Sequence, residues 1–404
     1  MKTLLFVGAG RHQRRAIVRA KELGHRVVAV DRNPDAPGLA EADVARVVDF
    51  SDPAAVVRAT ARVKLDGVLT VSADRAVPVV AAVAEARGLP GIGTATAHLM
   101  THKVAMRRRL GETGVPQPRF AACRTLSETR RAADQVGFPA VLKPADSGGQ
   151  RGVFRVDSLD DVDAHLHEAL AASPTGEAIL EEFVDGVEMN GIVVARDGHS
   201  ISLTLSDRLR PPGIGFGVGW IHVYPASVYG DQLEESERVA VHTVHALGLQ
   251  TGIAFPQLIA TQDGRALVVE CAARIPGGQM ADLVRHAVGV DLVDVQIRMA
   301  LGEELPDELV LPRFRQPLAV RFFTAEPGPL PTGRVTAVGS LEKVLAFPGV
   351  VQAETYLALG ETIRPVRLDG DRRGYVIAVG DTSLQALERA EAAARLLDVQ
   401  VEPA

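Results

Sequence analysis

Strand and helix patterns alternate through the first hundred residues, and nothing else in the chain constrains its fold as tightly. Thr3–Val7 is a short apolar run that ends in Gly8-Ala-Gly10. Ala16, Ile17, Ala20 and Leu23 then recur at helical spacing, with Gly24 as a C-cap. Residues 26–30 read as a second strand ending at Asp31. Residues 67–71 read as another, followed by an Ala/Val-rich helix and Leu89-Pro-Gly-Ile. Such alternation predicts a parallel sheet covered on both faces.

The pattern changes near Thr101. A helix with Met106 and Leu110 ends at Gly111 or Gly114, and Pro116 and Pro118 follow. Residues 120–185 then form a compact α+β unit: a helix over 127–136, a strand over 140–143, a Gly-rich loop over 147–152, a strand over 153–156, a helix from Leu159 and a strand over 178–183. Paired strands, a long loop and a helix over 233–247 come next. Two strands joined at Gln262-Asp263-Gly264 read as a hairpin. The tail from 311 alternates strands and helices and closes with a helix over 383–397. The 404 residues suffice for two or three domains. The divisions expected are 1–100, 101–310 with a lid over about 120–185, and 311–404.

Composition narrows the function. The net charge is −6 and the Lys and Arg residues are spread along the chain, so a nucleic-acid partner is not expected. Two cysteines, Cys123 and Cys271, exclude a disulfide framework, show no metal-ligand spacing and suit a reducing cytoplasm. The apolar start is too short for a signal peptide. No stretch has the apolar length to span a bilayer, so no membrane partner is expected.

Gly8 and Gly10 after a strand, with Asp31 at the end of the next, have the outline of a dinucleotide fingerprint. The third glycine position, however, holds Gln13, and Arg11, His12 and Gln13 are bulky where close helix–strand packing is wanted. The pattern reads as a βα turn in a Rossmann-like unit.

Three later segments carry more chemistry. The first is Lys143-Pro-Ala-Asp-Ser-Gly-Gly-Gln-Arg-Gly-Val. An ammonium at a strand end and bare backbone N–H groups in a glycine hairpin can hold a triphosphate. It is not a Walker loop, because no Gly-Lys-Ser/Thr ending is present. The second is Glu181-Glu-Phe-Val-Asp-Gly-Val-Glu188, a strand end that can read an adenine edge through backbone groups and accept ribose hydroxyls on Glu188. The third is Glu270-Cys-Ala-Ala-Arg274, where a carboxylate can bind Mg²⁺ and a guanidinium can grip a phosphate or carboxylate. Taken singly, each has a plainer reading: a glycine turn, a solvated strand end, a surface ion pair.

In this order the three segments resemble the ATP-grasp superfamily over essentially the whole chain. Within it, the chain is most similar to carboxylate–amine ligases that include bacterial L-amino-acid ligases. The further cues are Val-Asp31-Arg-Asn-Pro near the start and Arg321-Phe-Phe-Thr-Ala-Glu-Pro-Gly late on. The resemblance implies an ATP-grasp fold: an N-terminal Rossmann-like α/β domain without nucleotide, a small lid, a central domain and a C-terminal α+β part, with ATP between lid and central domain. It implies that Lys103 and Lys143 contact phosphates and that Ser147, Gly148, Gly149 and Gly152 belong to the lid loop over them. Glu181, Phe183 and Val184 would lie at adenine and Glu188 at ribose. Gln257 and Glu270 would hold Mg²⁺, and Arg274 would stabilise the acyl phosphate and tetrahedral adduct. It further implies that His222, in a Gly/Pro-rich loop over 207–224 with Arg208, Arg210 and Trp220, touches substrate, as Gly277-Gly278-Gln279 would. Many members of the family form homodimers.

The chain departs from the family pattern twice. Ala272 stands where an Asn ligand is usual, and Gln257 stands where an acid is usual. The expected reaction is ATP-dependent amide or peptide formation through an acyl phosphate, with a small-molecule carboxylate and amine as substrates, amino acids first among them, and ADP and phosphate released. The alternatives are a biotin-carboxylase-like or purine-pathway-like ligase, an NAD-linked oxidoreductase resting on Gly8 and Gly10, and a non-catalytic nucleotide binder.

Overall fold

The computed structural model describes residues 1–214 and 217–403. Strands β1 (Thr3–Val7), β2 (Arg26–Asp31), β3 (Val44–Val47) and β4 (Gly67–Leu69) form a parallel sheet in the order β3-β2-β1-β4. Successive side chains of β1 and β2 bury on opposite faces. Leu4, Phe6, Val27 and Ala29 join one core, and Leu5, Val7, Val28 and Val30 another. The helix Arg11–Glu22 lays Ala16, Ile17 and Ala20 on the first of these cores. β4 is shorter than the run over 67–71, and β3 escaped the sequence reading because it presents mostly exposed side chains.

A second sheet holds β5 (Phe120–Cys123), β6 (Ala140–Pro144), β7 (Phe154–Val156) and β8 (Ala178–Glu182), in the order β5-β8-β6-β7. Its two helices start at side-chain caps. Thr125 accepts from the Glu128 N–H ahead of Leu126–Val136, and Ser158 accepts from the Asp161 N–H ahead of Leu159–Ala171. Their buried faces meet the sheet through Ala132, Val136, Val162 and Leu166.

The largest sheet takes β9 (Val187–Arg196), β10 (His199–Leu209), β11 (Ile221–Tyr224), β12 (Gly252–Ala260), β13 (Ala266–Ala272) and β14 (Leu318–Phe322). After β15 (Gly333–Val338) come β16 (Val350–Thr355), β17 (Thr362–Ile363), β18 (Gly374–Val379) and β19 (Val399–Glu402). The eight-stranded order is β13-β12-β9-β10-β11-β14-β18-β16, while β17-β15-β19 form a small sheet of their own. The central sheet therefore runs on into the C-terminal part. Gly264, at φ +88°, makes the turn that joins β12 to β13. The helix Asp231–Ala246 covers these strands, packing Val239, Ala240 and Val244 against Val268 and Cys271. No helix among the described residues is long and apolar enough to cross a membrane.

Candidate active site

The second sheet and the central sheet face each other across a slot of about 130 Å³. The slot is lined by Lys103, Lys143, Ser147, Gly148, Gly149, Glu181, Phe183, Val184, Glu188, Gln257 and Glu270, so nearly every residue expected at nucleotide or metal is brought to one place. Gly152 is the exception. Its backbone turns at φ +69°, and a Cβ there would meet Ala172, Pro144 and Ala169 within 3.0 to 3.3 Å, which places it in the packing under the loop.

Charge inside the slot is tightly paired. The Glu181 carboxylate accepts from Arg107 Nε at 2.8 Å and Nη2 at 3.1 Å, and lies 2.7 Å from Lys143 Nζ. Burial by itself would raise the Glu181 pKa, but Arg107 and Lys143 outweigh it and hold it at about 2. The same burial pushes the Lys143 ammonium below its ordinary value, against the pull of Glu181. Glu181 itself lies in the strand between β5 and β6, opposite Phe120 and Val141. Lys103 Nζ stands 3.2 Å from Glu270 Oε1 and donates to the Ser147 carbonyl at 2.8 Å, tying the loop over the slot to the candidate metal ligand. Glu188 pairs with Arg208 and Arg210, each at 2.8 Å.

The site fits a nucleoside triphosphate with a divalent cation. Two ammonium groups face the slot, and the Ser147 hydroxyl is buried there without a hydrogen-bond partner. Gln257 and Glu270 sit opposite one another on β12 and β13. Among the described residues no group of three or more His, Cys, Asp or Glu is placed to hold a metal ion. A cation here would take Glu270 and the Gln257 amide oxygen as ligands and complete its shell from phosphate oxygens and water.

A second cavity, of about 320 Å³, opens beside the slot and shares Gly148, Gly149, Gln257 and Glu270 with it. Arg274 and His222, the other expected functional residues, line this cavity, together with Gly277, Gly278 and Gln279. Arg274 Nε donates to Asp74 Oδ1 at 2.6 Å, while its Nη1 is buried without a partner. Burial opposes the charge on Arg274, but Asp74 outweighs it and raises the pKa above the ordinary value. The pair is half-buried and links the segment after β4 to the end of β13.

His222 differs from the sequence reading, which put it in a loop. It lies inside β11 and is 4% exposed, because β10 extends through Leu209 and β11 begins at Ile221. Residues 215 and 216 of that segment lie outside the described residues. The Gln257 amide donates to Asn190 Oδ1 at 3.2 Å, which leaves Asn190 Nδ2 to donate to His222 Nδ1, also at 3.2 Å. With the amides oriented this way the His222 proton is on Nε2, beside Gly278 in the cavity. Burial, then Arg372 and Arg208, drive the His222 pKa well below the ordinary value, so the ring is neutral.

Three contributors were absent from the sequence reading. Asn190 follows Glu188 at strand spacing, a period-two signal that could have found it. Asp74 follows β4 at a strand end, but its partner is 200 residues away. Arg372 sits in an Asp-Gly-Asp-Arg-Arg-Gly turn, 4.0 Å over the Phe322 ring and 2.5 Å from Asp369. Burial lowers its pKa to about 10 despite Asp369.

The N-terminal glycine turn is closed by its own side chains. Asp31 accepts from the Ala9 N–H at 2.7 Å and from the Asn33 N–H at 2.9 Å. Gln13 packs over Gly8 and Gly10 and donates to the Val71 carbonyl. The groups that would meet a dinucleotide are therefore engaged within the turn.

Comparison with known proteins agrees with this geometry. Residues 102–308, just over half the chain, match the family model of the carbamoyl-phosphate synthase L chain, ATP binding domain. Residues 17–91 match the ATP-grasp N-terminal domain, and 321–402 the L-amino acid ligase C-terminal domain 2. An uncharacterized protein, y4rH, of Sinorhizobium fredii is 27% identical over 322 residues, covering 78% of this chain and 64% of that protein. This chain thus spans less than two thirds of that relative. A formate-dependent phosphoribosylglycinamide formyltransferase of Ignicoccus hospitalis is 28% identical over 408 residues, covering 98% of this chain and 95% of that one. The crystal structure of an L-amino acid ligase from Bacillus licheniformis superposes with a TM-score of 0.83 at 21% identity, over 100% of this chain and 99% of that chain, and so shares its fold.

Proposed function

The chain belongs to the ATP-grasp superfamily, whose members are ATP-dependent enzymes working with Mg²⁺, and from that premise we propose that it joins a small carboxylate to an amine that itself bears an anionic group. The observation that carries this reading is the cationic cavity beside the slot. Arg274 lines it and keeps an unpartnered buried Nη1, Arg372 keeps an unpartnered Nε, and neutral His222 offers a ring N–H. An anion there gains charge-assisted hydrogen bonds that water cannot supply at a buried guanidinium.

In this reading the carboxylate oxygen attacks the γ-phosphorus, ADP leaves, and the acyl phosphate forms. The amine then attacks the acyl carbon, phosphate leaves, and an amide results. ATP supplies the phosphoryl group, and Mg²⁺ on Glu270 and Gln257 offsets its charge. Lys103 and Lys143 hold the phosphates, Arg274 stabilises the adduct, and Glu188 exchanges its arginines for ribose hydroxyls. We take the units as 1–100, 101–310 with the lid at 120–185, and 311–404.

For the substrates, the nearly full-length similarity to a formate-dependent formyltransferase favours formate or a similarly small acid, with a phosphorylated amine as acceptor, over the amino acids expected from the sequence. An amino-acid ligase is the second reading, favoured by the match over 321–402. ADP release with Mg·ATP, followed by mass spectrometry of the product, separates them. Turnover that requires a small carboxylate together with a phosphorylated amine supports the first reading. A dipeptide mass from amino acids alone overturns it.

A further inference from the structure

Asp74 does more than hold Arg274. A Cβ on Gly148 would lie 2.7 Å from Asp74 Oδ2, so the loop over the slot touches the N-terminal unit at this point. Behind the contact lies a further cleft of about 690 Å³. Three guanidinium groups line it: Arg32 just beyond β2, Arg75 just beyond β4, and Arg151 in the loop.

The carboxylates that line this cleft are already engaged. Asp49 accepts from the Ser51 N–H at 2.9 Å, Asp74 is bound to Arg274, Asp146 accepts from Ser173 and from the Thr175 N–H at 3.1 Å, and Glu270 is paired with Lys103 at 3.2 Å. Among the described residues, Arg32, Arg75 and Arg151 have no carboxylate within 4 Å; Arg151 meets only the Gly148 carbonyl, at 3.3 Å. Burial and then Arg75 and Arg32 lower the Arg151 pKa, so Arg151 feels both other cations, while Asp49 sits in the field of Arg32. Two of them also stand beyond the carboxyl ends of parallel strands, the edge where open α/β sheets hold ligands. Convergent arginines of this kind are matched by phosphate oxygens.

We propose that the arginine end of this cleft, where Arg32, Arg75 and Arg151 lie outside the nucleotide slot although the cleft shares Lys103, Ser147, Gly148, Gly149 and Glu270 with it, is a second anion site that takes a ligand bearing a phosphoryl group. An occupant there bridges the N-terminal sheet and the loop. It therefore holds the loop against Asp74 and favours the closed slot. The ligand is recognised by its phosphate, so its binding does not depend on the chain's being a ligase.

The test uses the full chain with its slot saturated by Mg²⁺ and a non-hydrolysable ATP analogue, so that phosphate cannot enter there. Trypsin cleavage after Arg151 is followed by mass spectrometry as inorganic phosphate is added, with chloride at matched ionic strength as the control. Phosphate is expected to slow this cleavage several-fold. In an R32A/R75A double variant the concentration needed is expected to rise at least tenfold, with analogue binding unchanged. Both substituted residues are exposed, and analogue binding also reports that the variant is folded. Protection that persists in the double variant, or phosphate acting no differently from chloride, overturns the proposal. No turnover is required, so this outcome is independent of the proposed reaction.

Discussion

Arg274 enters the cavity with one nitrogen bound to Asp74 and another unpartnered, which is the arrangement of a group oriented before its ligand arrives. Replacing it by Ala is expected to lower substrate-dependent ADP release by about 10²- to 10³-fold while leaving nucleotide affinity within a few-fold. Equal losses in turnover and in nucleotide binding would instead show that Arg274 shapes the slot. His222 gives a pH signature. Its folded pKa lies well below the unfolded value of about 6.5. Below pH 6.5 the unfolded chain gains a proton that the folded ring refuses. Stability is therefore complete above that pH and falls on acidification, by up to about 1.4 kcal/mol per pH unit until the folded pKa is reached. Urea unfolding of wild type and His222→Gln between pH 7 and pH 5 checks this. The variant should lose less stability over that window, and parallel curves would refute the assignment.

At the level of elements, Arg107 joins three segments that the sequence separates. It leaves the helix Lys103–Glu112, grips Glu181 at the end of β8, and donates to the carbonyls of Val268 and Val269 on β13. Both partners of the pair are almost fully buried, at 1% and 3% side-chain exposure. Removing the cation leaves Glu181 with Lys143 alone and two carbonyls without a donor. Arg107→Ala is expected to destabilise the chain by about 3 kcal/mol. A fall below about 1 kcal/mol in denaturant unfolding would show that Lys143 suffices. The helix itself was legible from Met106 and Leu110, but the role of Arg107 was not, because a basic residue inside a helix reads as solvated until its neighbours are known.

For the whole molecule, the slot of about 130 Å³ is smaller than the roughly 300 Å³ at which small-ligand pockets begin, which predicts that the second sheet and its loop move when a nucleotide enters. Hydrogen exchange is expected to slow across β6, the loop and β8 when Mg·ATP binds, with little change in β1 to β4. Uniform protection would argue against a moving lid. The closed turn at Gly8 and Gly10 belongs to this scale as well. Gln13 was visible as a misfit in a dinucleotide fingerprint, but that its side chain fills the turn was decided by the sheet bringing Val71 alongside. By itself the sequence determined the alternating N-terminal sheet, the order of Lys143, Glu188, Glu270 and Arg274, and the missing oxygen at Ala272, because periodicity and residue chemistry are local properties. Only the tertiary structure decided that Asp74 holds Arg274, that Asn190 orients His222, that β14, β16 and β18 extend the central sheet, and that Arg32, Arg75 and Arg151 converge. Those contacts join residues tens to hundreds of positions apart. Their energies depend on distance and burial, which no local pattern in the chain encodes.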